Sequence, residues 1–222
     1  MADTTEIPPP IPAATAVLIR DGVGGLETLM LRRNSRGAFG GMWVFPGGRI
    51  DPQDGEGEDG ARRAAARETH EEASLVIDPA TLVPFAHWTP PPIAPKRFAT
   101  WFFLASAPAG VVAVDGQEIH EHVWVRPDEA MRRRDAGEIE LAPPTFVTLH
   151  QLAASHTVEQ ALDVAAQGPV EYFSTRIVKD TNGALVAVWH GDVAYDSDDL
   201  DVEGGRHRLV MVPDAWTYNR AF

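Results

Sequence analysis

Apolar residues in this chain gather in short runs broken by glycine and proline, the pattern of β-strands separated by turns. Thr15 to Arg20 (TAVLIR) and Thr28 to Arg32 (TLMLR) are two such runs, and Gly22, Gly24 and Gly25 between them predict a hairpin. Trp43, Val44 and Phe45 then lead into Pro46-Gly47-Gly48. An acidic, glycine-rich loop follows from Asp51 to Gly60, and a helix is predicted from Ala61 to about Leu75, with Asp59 as a candidate cap. Further β-rich runs cover Leu82 to Trp88, Phe98 to Ser106, Val111 to Val114 and Val123 to Arg126, and Pro127 to Ala136 reads as a short helix.

Past Leu141-Ala142-Pro143-Pro144 the pattern changes to two helices, Thr145 to Ala154 and Val158 to Ala166. Strands are predicted after them at Val170 to Val178, Leu185 to Trp189 and His207 to Val212. This divides the chain into an extended, proline-rich lead-in (1–14), a main domain (15–142) and a C-terminal α+β extension (143–222) packed on the same domain. Strands therefore mix with a few helices.

A chain of 222 residues, 44% apolar, can bury a full-sized core. It contains no cysteine, which excludes disulfides, thiolate metal sites and a cysteine nucleophile together. Met1 to Pro12 has neither a basic nor an apolar segment of a secretory leader, and no stretch reaches the length of a membrane span. A soluble, cytoplasmic protein without a membrane partner is the expectation. The formal charge of -13 argues against a nucleic-acid-binding surface, since phosphate backbones are gripped by an excess of Lys and Arg. A small polyanion requires local cations or metal ions instead.

The densest chemical signal is Arg67-Glu68-Thr69-His70-Glu71-Glu72. Glu68, Glu71 and Glu72 stand at i, i+3 and i+4 and so project from one face of a helical turn. Like charges about 4 Å apart repel by about 1 kcal/mol in water and about 4 kcal/mol at an effective dielectric near 20, so gathering three calls for a compensating cation. Hard oxygen ligands suit magnesium or manganese. A solvated acidic helix face is the bland alternative; the preceding Gly47-Gly48 turn, whose backbone can approach the carboxylates, argues for a site.

Gly48, followed by Arg67-Glu68-Thr69-x-Glu71-Glu72-x-x-Leu75, resembles the Nudix box, G-x5-E-x7-R-E-U-x-E-E-x-G-U, where U is aliphatic or threonine. Eighteen residues separate Gly48 from Arg67, five more than in the pattern, and Ser74 replaces its second glycine. Counting back from Arg67 places Asp59 at the first acidic position, with Glu58 and Glu56 as rivals. The resemblance implies an α/β/α sandwich with a mixed sheet, over roughly Thr15 to Ala136, that hydrolyses a diphosphate linkage with Mg2+ or Mn2+. It implies Glu68 and Glu72 as metal ligands, Glu71 as a further ligand or a ligand through water, the Gly48 carbonyl completing the site, and Arg67 orienting Glu68. Glu118 and Glu121 are the positional candidates for a general base or extra ligand, and Glu121 is preferred of the two.

Leu29 to Gly48 (LMLRRNSRGAFGGMWVFPGG) is similar to the segment before the box in coenzyme A diphosphatases, with Leu29, Arg32, Gly41 and Phe45-Pro46-Gly47-Gly48 in register. Met30, Arg33 and Gly37 depart from it, Arg36 standing one residue from the second arginine position. With the long box loop, the extension and the run from Lys96-Arg97-Phe98 to Phe102-Phe103, this likeness implies coenzyme A or an acyl-coenzyme A as substrate. The products would be free or acylated 4'-phosphopantetheine and adenosine 3',5'-bisphosphate. ADP-ribose, a nucleotide sugar or a dinucleotide is the alternative within the enzyme class, and a non-catalytic ligand sensor the alternative outside it. Arg32, Arg33, Arg36, Lys96 and Arg97 are the local cations for a small-molecule diphosphate. Trp88, Trp101 and Phe98 are candidates for stacking a base, and equally the ordinary filling of a strand core. The extension leaves open a pocket cover, a homodimer interface or acyl-chain specificity.

Other catalytic motifs fail. His70-Glu71-Glu72-Ala73-Ser74 lacks the second histidine of a zincin helix, and neither a G-x-S-x-G elbow nor a phosphate-binding G-x4-G-K-[ST] loop is present. Asp199 to Gly204 begins like a calcium loop, but Val210 stands where the bidentate glutamate is needed.

Overall fold

The computed structural model describes residues 8–34 and 39–222. Its main sheet is built from β1 (Ile11–Gly22), β2 (Gly25–Arg33), β3 (Trp43–Val44), β4 (Gly47–Arg49), β5 (Val83–Thr89), β6 (Phe98–Ser106), β7 (Ile119–Val125) and β8 (Glu171–Ser174). The path is β3-β2-β1-β6-β5-β8, with β4 on β1 and β7 on β2. The sheet is mixed: β1 runs parallel to β6 and β5 parallel to β8, while the remaining pairs are antiparallel.

Alternation along the strands separates two cores. Ala14, Ala16 and Leu18 of β1, Leu29 and Leu31 of β2 and Phe103 of β6 face α1 (Gly57–Ala73), which buries Ala61, Ala64 and Ala65 against them. Small alanines let the helix sit close to the sheet. Val17, Ile19, Met30, Phe102 and Trp88 face the other way, toward α2 (Pro127–Asp135), α3 (Pro143–Leu152) and α4 (Val158–Gln167). Helices on both faces make an α/β sandwich.

The extension enters that second core. A smaller antiparallel sheet, in the order β12-β11-β10-β9, is formed by β9 (Arg176–Lys179), β10 (Leu185–Val188), β11 (Arg206–Val212) and β12 (Ala215–Ala221), with the short α5 (Ala194–Ser197) inserted. Trp189, Leu209 and Phe173 join Trp88 and Phe102, and Trp88 stacks on Phe173 at 3.7 Å between ring centroids. At about 25 cal/mol per Å² of apolar surface, such rings are large contributors to cohesion. A buried ion pair, Arg208 to Asp192 at 2.6 Å, ties β11 to the loop after β10.

Several boundaries differ from the expectation. β1 starts at Ile11, inside the predicted lead-in, because it pairs with β6 from Ile11↔Phe98 onward. The helix begins at Gly57 with Glu56 as its N-cap, so Asp59 lies in the first turn and does not cap it. Val111 to Val114 is irregular: Ala113 N–H donates to Ala73 O and Ala113 O accepts from Ser74 Oγ, and the segment closes the C-terminus of α1. The predicted strand Val170 to Val178 is two strands in different sheets. The chain changes sheet at Thr175, whose N–H donates to Thr89 O and whose Oγ1 accepts from Trp189 Nε1. β12 lies outside the predicted strands: AWTYNRA is mostly exposed, with only Trp216 and Tyr218 of its residues partly buried.

Candidate active site

Between β1 and β2 the sheet opens, with β4 continuing on β1 and β3 on β2, and Phe45-Pro46 crosses the gap. The last turns of α1 lie beside this opening and bring Arg67, Glu68, Glu71 and Glu72 to it. Gly48 pairs with Ala14, and a Cβ on Gly48 would overlap the carboxylate of Glu68. Only glycine permits that approach.

Glu72 is buried, 4% exposed, and accepts the Gly47 N–H at 2.9 Å. Arg33 approaches its other oxygen at 3.4 Å. Burial pushes the Glu72 carboxyl up to about 8, against the lowering effect of the Gly47 N–H and Arg33, with Glu68 and Glu118 adding repulsion. Glu68 is also raised, first by burial, with Glu71 and Glu118 contributing, while Arg67 opposes the shift. A site that raises its carboxylates in this way favours added positive charge.

Arg67 is the hub. Its Nη1 donates to Glu68 at 2.8 Å and to Glu71 at 3.1 Å, and its Nη2 donates to Arg49 O at 3.0 Å. Its Nε and Nη2 hold the two oxygens of Asp54 at 3.1 and 2.8 Å. Those bonds keep the Asp54 carboxyl below its ordinary range and raise the guanidinium's affinity for its proton. Asp54 is the acidic partner that sequence reading missed. Asp59, Glu58 and Glu56 were the residues nominated for this loop position, and Asp54 is the one that pairs with Arg67. Counting forward from Gly48, with x5 before the acidic residue, lands on Asp54; the five extra residues therefore lie between Asp54 and Arg67.

The remaining candidates separate by sheet face. Arg33 follows Leu29 and Leu31 on the α1 face and links Glu72 to Glu118, which it holds at 2.5 Å. Arg32 and Glu121 pair with each other at 3.0 Å in register across β2 and β7. They share the opposite face with Met30 and Val123. Of the two acidic candidates, Glu118 is therefore the one beside the α1 carboxylates. Arg97 donates to the carbonyls of Pro8 and Pro90, and Lys96 is exposed with its Nζ 5.1 Å from the Phe98 ring centroid. No bond from either reaches the α1 carboxylates among the described residues, and Arg36 lies outside the described residues.

Glu68, Glu71, Glu72 and the Gly48 carbonyl form an all-oxygen donor set of the kind that suits a small divalent cation. Among the described residues, no three Asp, Glu or His side chains stand arranged around one point to hold a metal. Arg67 and Arg33 occupy the carboxylate oxygens instead. The donor chemistry fits a divalent ion, since Arg67 takes only one oxygen each of Glu68 and Glu71.

The NUDIX domain model matches residues 9–145. The chain belongs to the Nudix family. A Nudix hydrolase from Alicyclobacillus acidocaldarius is similar over 72% of this chain and 99% of that one, with 26% identity and a TM-score of 0.66. The MutT Nudix hydrolase from Burkholderia pseudomallei shares the fold at 22% identity and a TM-score of 0.52, over 65% of this chain and 99% of that one. So does the Nudix domain of Shewanella oneidensis NrtR, solved with ADP ribose, at 18% identity and a TM-score of 0.52, over 66% and 88% of the respective chains. No curated protein matched. This Nudix protein is a hydrolase of pyrophosphate bonds in nucleoside diphosphate derivatives, and its family generally requires divalent metal ions. Among its described residues, no helix is long and apolar enough to cross a membrane.

Proposed function

We propose that this Nudix hydrolase cleaves the diphosphate of coenzyme A or an acyl-coenzyme A, using Mg2+ or Mn2+. The observation that carries the substrate is the segment Leu29 to Gly48. Its likeness to coenzyme A diphosphatases falls on β2, β3 and β4, the strands that border the opening beside Glu68 and Glu72.

Glu68, Glu72 and the Gly48 carbonyl would hold the metal, with Glu71 as a further ligand. When bound, the divalent ion neutralises charge developing on the phosphoryl oxygens and makes a water more acidic. Arg67 orients Glu68 and Glu71 while Asp54 fixes Arg67 from behind. Glu118 accepts the proton of the attacking water, being the downstream carboxylate on the α1 side, and Arg33 holds it in place. Attack of water in line at one phosphorus breaks the bridging P–O bond and releases the two phosphorylated halves of the substrate.

ADP-ribose is the second reading, favoured by its presence on the similar NrtR domain. Product analysis by phosphorus NMR or mass spectrometry distinguishes the two after incubation with Mg2+ or Mn2+ and coenzyme A, an acyl-coenzyme A, ADP-ribose and NADH. Appearance of 4'-phosphopantetheine or its acyl form with adenosine 3',5'-bisphosphate supports the proposal. Cleavage confined to ADP-ribose or NADH replaces it, and metal-dependent cleavage of none overturns the substrate assignment.

A further inference from the structure

Arg33 links a carboxylate of α1 to the turn that leads into β7. It ends β2 at a bulge: Arg32 pairs with Glu121, Arg33 pairs with Ile119, and His120 between them is passed over in the register. An extra residue in one strand re-aims the side chains around it. Here it leaves Glu118, next to Ile119, on the side of the α1 carboxylates, where Arg33 Nη2 holds it at 2.5 Å. Further contacts fix the turn independently of that guanidinium. Asn34 N–H donates to Glu118 O at 2.7 Å, and Asn34 Nδ2 donates to Gln117 O. Asp115 Oδ1 accepts the N–H groups of Gln117, Glu118 and Ile119 at 3.1, 3.2 and 2.9 Å. The backbone under Glu118 is therefore set without Arg33, while its exposed carboxylate, left unheld, would sample several rotamers.

The other nitrogen of the fork is engaged more loosely. Gly47 N–H takes Glu72 Oε2 at 2.9 Å, and Arg33 Nη1 lies 3.4 Å from Oε1, the oxygen that remains for a ligand. A charge-assisted bond usually spans about 2.7–2.9 Å, so Oε1 feels the positive charge without being closed by it. Glu118 acts on the same carboxylates with the opposite sign, its charge repelling those of Glu68 and Glu72.

We propose that Arg33 is a positioning residue that holds Glu118 beside Glu72 and, as a fixed positive charge at the free oxygen of Glu72, weakens the site's grip on its divalent ion. One guanidinium thereby couples the place of the base to cation affinity. The inference rests on Glu72 as a metal ligand and Glu118 as the base, and it holds for either proposed substrate.

The test is calorimetric titration of the full chain with Mn2+, without substrate, together with steady-state kinetics on whichever diphosphate is cleaved. Arg33→Met removes the charge at similar length and is expected to bind Mn2+ about tenfold more tightly than wild type, with kcat about 100-fold lower. Arg33→Lys keeps the charge but not the fork, so Mn2+ affinity stays within about twofold of wild type while kcat remains low. In a Glu118→Gln background, Arg33→Met is expected to lower kcat by less than about threefold, because the group through which it acts is already gone. Unchanged or weaker Mn2+ binding in Arg33→Met overturns the countercharge. A full loss of kcat on adding Arg33→Met to Glu118→Gln overturns the positioning role. Wild-type activity in Glu118→Gln alone removes the base assignment and the positioning role with it, while the Mn2+ titration, which needs no turnover, still decides the countercharge. No Mn2+ binding by the wild-type chain removes the metal site and the inference together.

Discussion

Arg67 grips both oxygens of Asp54, through Nε at 3.1 Å and Nη2 at 2.8 Å, and with the same guanidinium reaches Glu68 and Glu71. Asp54 sits in the 3-10 turn Pro52–Asp54 and is 5% exposed, so the loop before α1 is fastened to the carboxylate-bearing turn. The pair does structural and positioning work at once. Asp54→Asn removes the charge from the buried partner and leaves Arg67 to Glu68 and Glu71; a loss of about 2–4 kcal/mol is expected, discounted from a fully buried pair because Arg67 is partly exposed and keeps those two partners. Thermal unfolding checks it as a fall of about 4–16 °C. A midpoint within a degree of wild type contradicts the role assigned to the pair.

Glu72 is costly to the fold, because its burial favours the neutral form. Glu72→Gln keeps an acceptor for the Gly47 N–H and removes the charge. Activity is expected to fall by about two to four orders of magnitude, the range over which removal of a positioned catalytic group acts. Unfolding in EDTA is expected at the wild-type temperature or above, with the rise on adding Mg2+ or Mn2+ lost. Near-normal turnover removes Glu72 from the metal site.

Gly48 has no room for a side chain against Glu68. Gly48→Ala displaces the Glu68 carboxylate and is expected to lower kcat by about 100-fold, a figure typical of a misplacement near 1 Å. Far-ultraviolet circular dichroism should stay unchanged, and the metal concentration for half-maximal activity should rise. Full activity in this variant excludes the close backbone approach as a working part of the site.

Ser74 ends α1 in the left-handed region at φ 58°, the position where the box pattern has glycine. A side chain costs about 1 kcal/mol or more there, offset in part by the 3.0 Å bond from Ser74 Oγ to Ala113 O. Ser74→Gly is expected to raise the midpoint by about 1–4 °C with activity retained. A decrease shows that the Ala113 bond outweighs the backbone strain.

Asp192 feels desolvation, which raises it, and the stronger combined pull of Arg208 and of the His207 and Ala194 N–H groups, which leaves it below its ordinary range. A depressed carboxylate contributes stability that is present above its unfolded pKa, near 3.9, and is lost as pH falls through the folded value. Asp192→Asn is expected to cost about 3–5 kcal/mol at pH 7 by stranding Arg208, and the gap from wild type should narrow below about pH 4. Thermal scans from pH 7 to 3 measure it. A gap that does not depend on pH assigns the loss to packing instead.

The parts of the molecule legible in its residues are those set by short-range geometry. Spacing of i, i+3 and i+4 puts Glu68, Glu71 and Glu72 on one helical face whatever surrounds them, and apolar alternation located most strands of the main sheet. Pairing and layering decided the rest. Asp54 and Arg67 are thirteen positions apart, and their contact exists only because the loop folds back on α1. Arg33 and Glu118 meet at Glu72 while Arg32 and Glu121 meet on the other face, because β2 and β7 alternate and a bulge shifts their register at Arg32/Arg33. Thr175 separates a strand of the main sheet from one of the second sheet within a single apolar run, a division set by partners distant in sequence. Gly48, Ala14, Trp101, His87 and Tyr172 line up across the main sheet for the same reason: five strands supply one residue each, and only their hydrogen-bonded register makes them neighbours.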